Sequence, residues 1–428
     1  MDLKNAVDKS SLVESNSLRN EADVNSEDNC GYKSLIDAAS SGDLDRVKYI
    51  LGLGVDVNAR DNYGNTALIG STNGSLYRGY CTPEVLEFLV ENGADVNARN
   101  NEGRTALLGS ALSGSLEDVI FLVKNGAEVN ARDNYGITSL MKASEPGQLK
   151  LLEFLVENGA DVNGKDNSGR TALSSLAFKG SLEDVMFLVE KGAEVNAKDN
   201  YGQTALMKAS ETGQLKVVEF LVEHGADVNA KNNYGQTALI EASKTGQLKV
   251  VEFLWEHGAD VSARGNCGET SLLVASYFAQ FEVVEFLLKK AAEVNAEDDE
   301  GETPMSLAVK NGDFETMDIL KAYGALVTST IEAKERDWRF LQAACDGEFK
   351  KVADLLNKGA DVNAELYMGA TALITVSAGG NLKMVKFLVE NGADVNAVDD
   401  DGETSLSNAY ELGHHEVVKF LEAHGAEE

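Results

Sequence analysis

Three of the five histidines in this 428-residue chain, His224, His257 and His424, occupy one slot, each immediately before a glycine. Imidazoles can hold a metal or move protons. His224 and His257 lie one 33-residue period apart, which places them on neighbouring packed helices, roughly 8–10 Å from each other. Two nitrogens so separated cannot share a metal at bond lengths of about 2 Å. Their expected role is structural, as helix C-terminal residues that suit the dipole. The cysteines, Cys30, Cys81, Cys267 and Cys345, are widely spaced with no CxxC pair. They read as independent thiols in a reducing compartment. No nucleophile-and-base arrangement, phosphate loop or metal motif is legible, so no catalytic residue, metal or cofactor is expected. What remains is recognition. Tyr63, Tyr135, Tyr201 and Tyr234 each precede a glycine at a turn, where a phenol ring offers broad contact area and a polar tip.

These residues are positioned by a repeated element. GADVNA or a near copy recurs at Gly93, Gly126, Gly159, Gly192, Gly225, Gly359 and Gly392, with looser copies at Gly54, Gly258, Ala291 and Gly324. A fixed period of this size means stacked small units. In the stretch from Asn200 to Lys231, Asn200-Tyr-Gly-Gln203 predicts a turn. Thr204 precedes a short helix over 205–212, stopped by Gly213. A longer helix over 214–224 follows, with Leu215, Val217, Val218, Leu221 and Val222 on one face. Gly225 stops it, and the VNA loop leads to the next turn. The loop asparagine is expected to fix that loop by hydrogen bonds.

The matching residues Gly202, Thr204, Leu206, Ala209, Gly213, Leu215, Val218, Leu221, Gly225 and Asp227-Val-Asn-Ala230 resemble the ankyrin repeat pattern, and the resemblance spans about 400 residues. It implies an all-α fold, an α-solenoid of stacked ankyrin repeats with β-hairpin-like loops. The family's TPLH segment is altered, and only Pro304 keeps its proline, so somewhat softer first-helix starts are expected. Counting turn glycines from Gly31 to Gly402 gives about twelve repeats, with Arg336 in the glycine slot of the tenth. The resemblance also implies a concave groove, lined by turn tips and short first helices, that commonly binds protein. Carried over, it makes Tyr63, Tyr135, Tyr201 and Tyr234 the tip contacts. Leu112, Phe178, Glu211, Lys244, Tyr277 and Phe278 become contacts at the ends of first helices.

The eighth repeat departs most. Tyr277, Phe278 and Phe281 cluster around Ala279, which replaces a helix-stop glycine, with Trp255 in the preceding repeat. Trp255 and Phe281 are assigned to the core, and Tyr277 and Phe278 to the surface. Duplicated repeat pairs (103–135 against 169–201, 136–168 against 202–234) differ mainly in tip and first-helix slots. Tuning of a groove produces that pattern, and so does free drift at the surface.

The expected organisation is a polar, disordered segment over 1–20 and a repeat array over 21–325, with its N-terminal cap at 31–60. A C-terminal block over 326–428 follows an irregular junction, with a cap at 402–428. A loop is expected to bulge around 72–82 in the second repeat. The formal charge is −32, from 70 acidic and 38 basic side chains. Such a field repels nucleic acid and anionic membranes. The expected function is a non-catalytic protein-binding scaffold, monomeric by itself. Two alternatives stand beside it: an acidic inhibitor on a basic site of its partner, and a regulatory subunit of a partner enzyme. With no apolar signal or spanning segment, a cytoplasmic location is expected, with export as an effector the alternative.

Overall fold

The computed structural model describes residues 30–72, 83–145, 147–179, 181–365 and 367–427. The segment over 1–20 and the loop with Tyr77, Arg78, Tyr80 and Cys81 lie outside them. The described residues form 24 α-helices in consecutive pairs, the first helix being the shorter except in the first and tenth pairs, and no strand; a lone antiparallel bridge joins Val398 and Thr404. The fold is an all-α stack of helical repeats. It divides into two compact units, one ending at Asn233 and the other starting at Tyr234.

In the first unit, six pairs follow one another. They are α1 (Cys30–Ser40) with α2 (Leu44–Gly52), α3 (Ala67–Thr72) with α4 (Pro83–Glu91), and α5 (Ala106–Ser113) with α6 (Leu116–Lys124). Next come α7 (Ser139–Lys142) with α8 (Leu149–Glu157), α9 (Ala172–Lys179) with α10 (Leu182–Glu190), and α11 (Ala205–Glu211) with α12 (Leu215–Glu223). Each first helix packs on its own second helix and on the next first helix. The core is a continuous file of apolar side chains such as Leu68, Leu89, Leu107, Leu122, Leu152 and Leu155, all essentially inaccessible to solvent. Burying each contributes about 1.5–3 kcal/mol.

The second unit also holds six pairs. They are α13 (Ala238–Lys244) with α14 (Leu248–Glu256), α15 (Ser271–Tyr277) with α16 (Phe281–Lys289), and α17 (Pro304–Lys310) with α18 (Phe314–Ala322). Then come α19 (Ser329–Cys345) with α20 (Phe349–Asn357), α21 (Ala372–Ala378) with α22 (Leu382–Glu390), and α23 (Ser405–Glu411) with α24 (His415–Ala423). One apolar cluster runs from Phe340 through Val352, Leu373, Met384, Val385 and Leu388 to Leu421. On α24, His415, Glu416, Lys419 and Glu422 are exposed, while the half-buried His414 bridges to the Ala378 carbonyl through Nε2 at 2.9 Å.

First-helix starts are held by threonine. The Oγ1 of Thr105, Thr138, Thr204, Thr237, Thr270 and Thr371 accepts from the backbone N–H three residues on. Such a cap is worth about 1 kcal/mol. The tenth repeat shows what happens without it. Trp338 holds the threonine slot and Arg336 the turn-glycine slot, yet no turn forms there. The helix formers Ile331-Glu-Ala-Lys-Glu-Arg336 let α19 begin early, capped by Thr328 Oγ1 from Ile331 N–H at 3.3 Å, so it runs 17 residues. Glu335, nearly buried on this helix, accepts from Lys321 Nζ at 2.6 and 2.7 Å and from Arg339 Nε at 3.0 Å. Burial works against its ionisation, but those hydrogen bonds and cations prevail and hold its carboxyl below the ordinary value.

Candidate functional site

Most turn tips are built by one carboxylate, and the third by the Asn100 amide oxygen, which accepts from the N–H groups of Glu102 and Arg104. Asp199 Oδ1 accepts from the N–H groups of Tyr201 at 2.9 Å and Gln203 at 2.8 Å. Asp61, Asp133, Asp166, Asp298 and Asp399 do the same in their repeats. With the backbone so tied, the side chain before the glycine points out. Gly202 has φ +76°, and a Cβ there would sit 2.6 Å from Asn233 Oδ1 and 2.8 Å from its backbone N. Only glycine meets both demands.

Tips are joined within each unit. Asn101, Asn167 and Asn233 donate their backbone N–H to the carbonyls of Tyr63, Tyr135 and Tyr201 at 2.9 Å. The side-chain amides of Asn134, Asn167, Asn200 and Asn233 each reach the asparagine carbonyl one repeat earlier, at 2.8–2.9 Å. In the second unit, Asn266 and Asp299 repeat the backbone bond to Tyr234 and Cys267 at 2.7 and 3.0 Å. The phenol rings stay outside this framework. Tyr63 is 74% exposed, Tyr135 59%, Tyr201 55% and Tyr234 54%.

First-helix ends form the second set. Across a seven-residue helix they lie about 10 Å from the tips. In the first unit Leu112 and Phe178 are both exposed. Lys208 Nζ lies 5.9 Å from the Phe178 ring centroid and 3.5 Å from the carboxylate of Glu211, which is half-buried. In the second unit Tyr277 and Phe278 are exposed and meet edge to face, with centroids 4.9 Å apart. Lys244 Nζ lies 5.6 Å from the Phe278 ring, within cation–π range. The Asn311 side-chain amide donates to the Tyr277 carbonyl. Next in the chain, Ala279 has φ +56°, a left-handed conformation costing a non-glycine residue about 1–2 kcal/mol. Ala291, in the slot of another stop glycine, has φ +66°.

Two core assignments are corrected. Phe281 opens α16 and is 38% exposed, because the first position of a second helix faces out here. Trp255 is half-buried on the second-helix face. It packs edge-on to Phe286 at 6.1 Å and is covered by Lys290 Nζ at 3.8 Å.

The three slot histidines do one job. Nδ1 of His224, His257 and His424 bonds the phenylalanine carbonyl four residues earlier at 2.7–2.8 Å, and each ring lies against that phenylalanine. Asn92, Asn125, Asn158 and Asn391 make the same bond through Nδ2. Among the described residues, no group of three His, Cys, Asp or Glu side chains could hold a metal. No helix among them is long and apolar enough to cross a membrane.

Two features escape the sequence reading. In the eighth repeat the tip aspartate is replaced by Gly265, and the Glu269 carboxylate fills the space a Cβ would need, accepting from Cys267 N–H at 3.0 Å. A carboxylate four residues after the vacant slot was the available signal. The other feature is Ser262, which stands where GADVNA has its asparagine.

Comparison with curated proteins gives no match. Family models do match: residues 18–70 fit one described as ankyrin repeats in many copies. Residues 76–331 and 340–428, in overlapping segments, fit one described as ankyrin repeats in three copies. The unmatched residues between the last two stretches belong to the early turns of α19. Ankyrin repeats are in general protein–protein interaction modules, and proteins built from them are typically non-catalytic. Stacked Thr-capped helix pairs, asparagine-linked tips and these matches lead to one statement: the chain belongs to the ankyrin repeat family.

Proposed function

We propose that this chain is a non-catalytic scaffold or adaptor that holds a protein partner, with the eighth repeat as the centre of contact. The observation that carries this is the Tyr277–Phe278 pair, two large rings left exposed beside the strained Ala279. Backbone strain persists where the surroundings enforce it, and it concentrates at functional sites. Aromatic rings are enriched at the centres of interfaces and often anchor them. Beside them in the second unit the reading adds Tyr234 and Lys244; in the first unit it separately proposes Tyr63, Tyr135, Tyr201, Leu112, Phe178 and Glu211 as contacts. We also propose that the chain works as a monomer in the cytoplasm, and that residues 326–428 act as one block.

Tyr277→Ala/Phe278→Ala tests this. The double variant is expected to lose at least about tenfold in affinity for the captured partner, as two anchors of 1 kcal/mol or more would dictate. Its melting temperature should stay within about a degree of the wild type, since both rings are exposed. Undiminished capture by a folded variant contradicts the site.

A second reading, an acidic inhibitor of a cationic protein, is favoured by the tips Asp298-Asp299-Glu300 and Asp399-Asp400-Asp401 in a chain of charge −32. Salt separates the two. An inhibitor complex of that kind weakens steeply between 0.05 and about 0.5 M salt, whereas an aromatic-centred one does not.

A further inference from the structure

Asparagine in the GADVNA loop is a two-pronged staple. In seven copies (58, 97, 130, 163, 196, 363 and 396) its Nδ2 donates to a carbonyl of the next loop, 29 residues on (35 for Asn58), at 2.8–3.3 Å. Its Oδ1 accepts from an N–H 31 residues on (37 for Asn58), at 2.7–2.9 Å. Position 262 breaks the series. Ser262 is too short to cross, and its hydroxyl turns back to Asp260 Oδ1 at 2.6 Å. The two groups a staple would have met, the Ala291 carbonyl and the Glu293 N–H, have no hydrogen-bond partner among the described residues. Between the loops lies a cleft of about 440 Å³, lined among others by Ser262, Arg264, Thr270, Ala291 and Glu293.

We propose that this cleft is a binding site for a primary carboxamide, supplied by an asparagine or glutamine side chain of a bound polypeptide. The missing chemistry defines the ligand. One planar group must donate to the Ala291 carbonyl and accept from the Glu293 N–H side by side. Among side chains only Asn and Gln carry a donor and an acceptor on one carbon. A carboxylate cannot donate, and it would face Asp260 and Glu293. An ammonium cannot accept. A trans peptide bond points its N–H and C=O in opposite directions. The cleft lies between the loop that ends the seventh repeat and the eighth repeat, which carries Tyr277 and Phe278. The polypeptide source of the amide rests on the scaffold reading; the complementarity of the cleft does not.

The test uses the full chain and acetamide as the probe, followed by the Glu293 backbone amide resonance. Acetamide should give a saturable shift of that resonance. Dimethylacetamide, which accepts but cannot donate, and acetate, which also lacks the donor, should give less. Ser262→Asn fills the cleft from within, so it should abolish the acetamide response and slow exchange of the Glu293 amide roughly fivefold, the worth of one net hydrogen bond. An unresponsive Glu293, equal responses to all three probes, or a response that survives in Ser262→Asn overturns the proposal. So does unchanged Glu293 exchange in that variant, which shows that the loops do not accept a carboxamide. These outcomes leave Tyr277→Ala/Phe278→Ala capture as the separate judge of the scaffold itself.

Discussion

Single residues decide where this array is rigid and where it is strained. Ala279 and Ala291 adopt positive φ where other repeats use glycine. Glycine relieves a cost of about 1–2 kcal/mol but adds about 0.4–1 kcal/mol of unfolded-state entropy. Ala279→Gly and Ala291→Gly should therefore each stabilise by up to about 1 kcal/mol in denaturant unfolding, and a destabilised variant would show that the alanine methyls pack. The slot histidines illustrate what could be read at this scale. Their spacing excludes a shared metal, and their capping role is a property of one helix end. The bond they share with Asn92 and Asn391 could not be read, because nothing in the letters His and Asn announces that both reach the same carbonyl. Glu269 is a starker case: its carboxylate replaces a side chain missing from Gly265, which only the folded turn reveals. Phe281 was misplaced for the converse reason. An aromatic at helical spacing usually faces a core, but at the first position of α16 the core lies on the other side.

At the scale of elements, paired helices were legible because period, glycine stops and threonine caps agree in nearly every copy. Agreement fails in the tenth repeat, and so did the slot count that placed Arg336 at a turn. Local helix propensity and the Thr328 cap won over register. Glu335 then becomes the tie between α18 and α19, through Lys321 and Arg339. Glu335→Gln should cost about 1.5–3 kcal/mol at neutral pH, the range for hydrogen bonds to a charged group. The pH dependence has a definite sign. A depressed carboxyl contributes stability that is fully present above its unfolded value of 4.5 and is lost as pH falls through its lower folded value. The gap between wild type and Glu335→Gln should thus be constant from about pH 7.5 to 5 and narrow below that. A gap that grows on acidification would contradict the assignment.

For the whole molecule, nearest-neighbour bonds are the rule: every staple and tip link described joins one repeat to the next within its unit. Stability in such a chain is a sum of local interfaces, so sites can be altered one repeat at a time. That independence explains why the eighth repeat could lose its tip aspartate and two stop glycines, and the loop just before it its asparagine, while the buried side chains Leu272, Leu273, Val283 and Val284 are kept. Fold class followed from repetition, whereas the recognition surface we propose sits at positions that break it.

The most direct measurement of the central claim places a photo-reactive phenylalanine analogue at position 278 in the full chain, with the exposed second-helix position Lys216 as the reference. Irradiation in cell extract is predicted to cross-link a discrete protein at 278 and to give little at 216. Equal labelling at both positions, or none at 278 from a folded protein, would contradict the account.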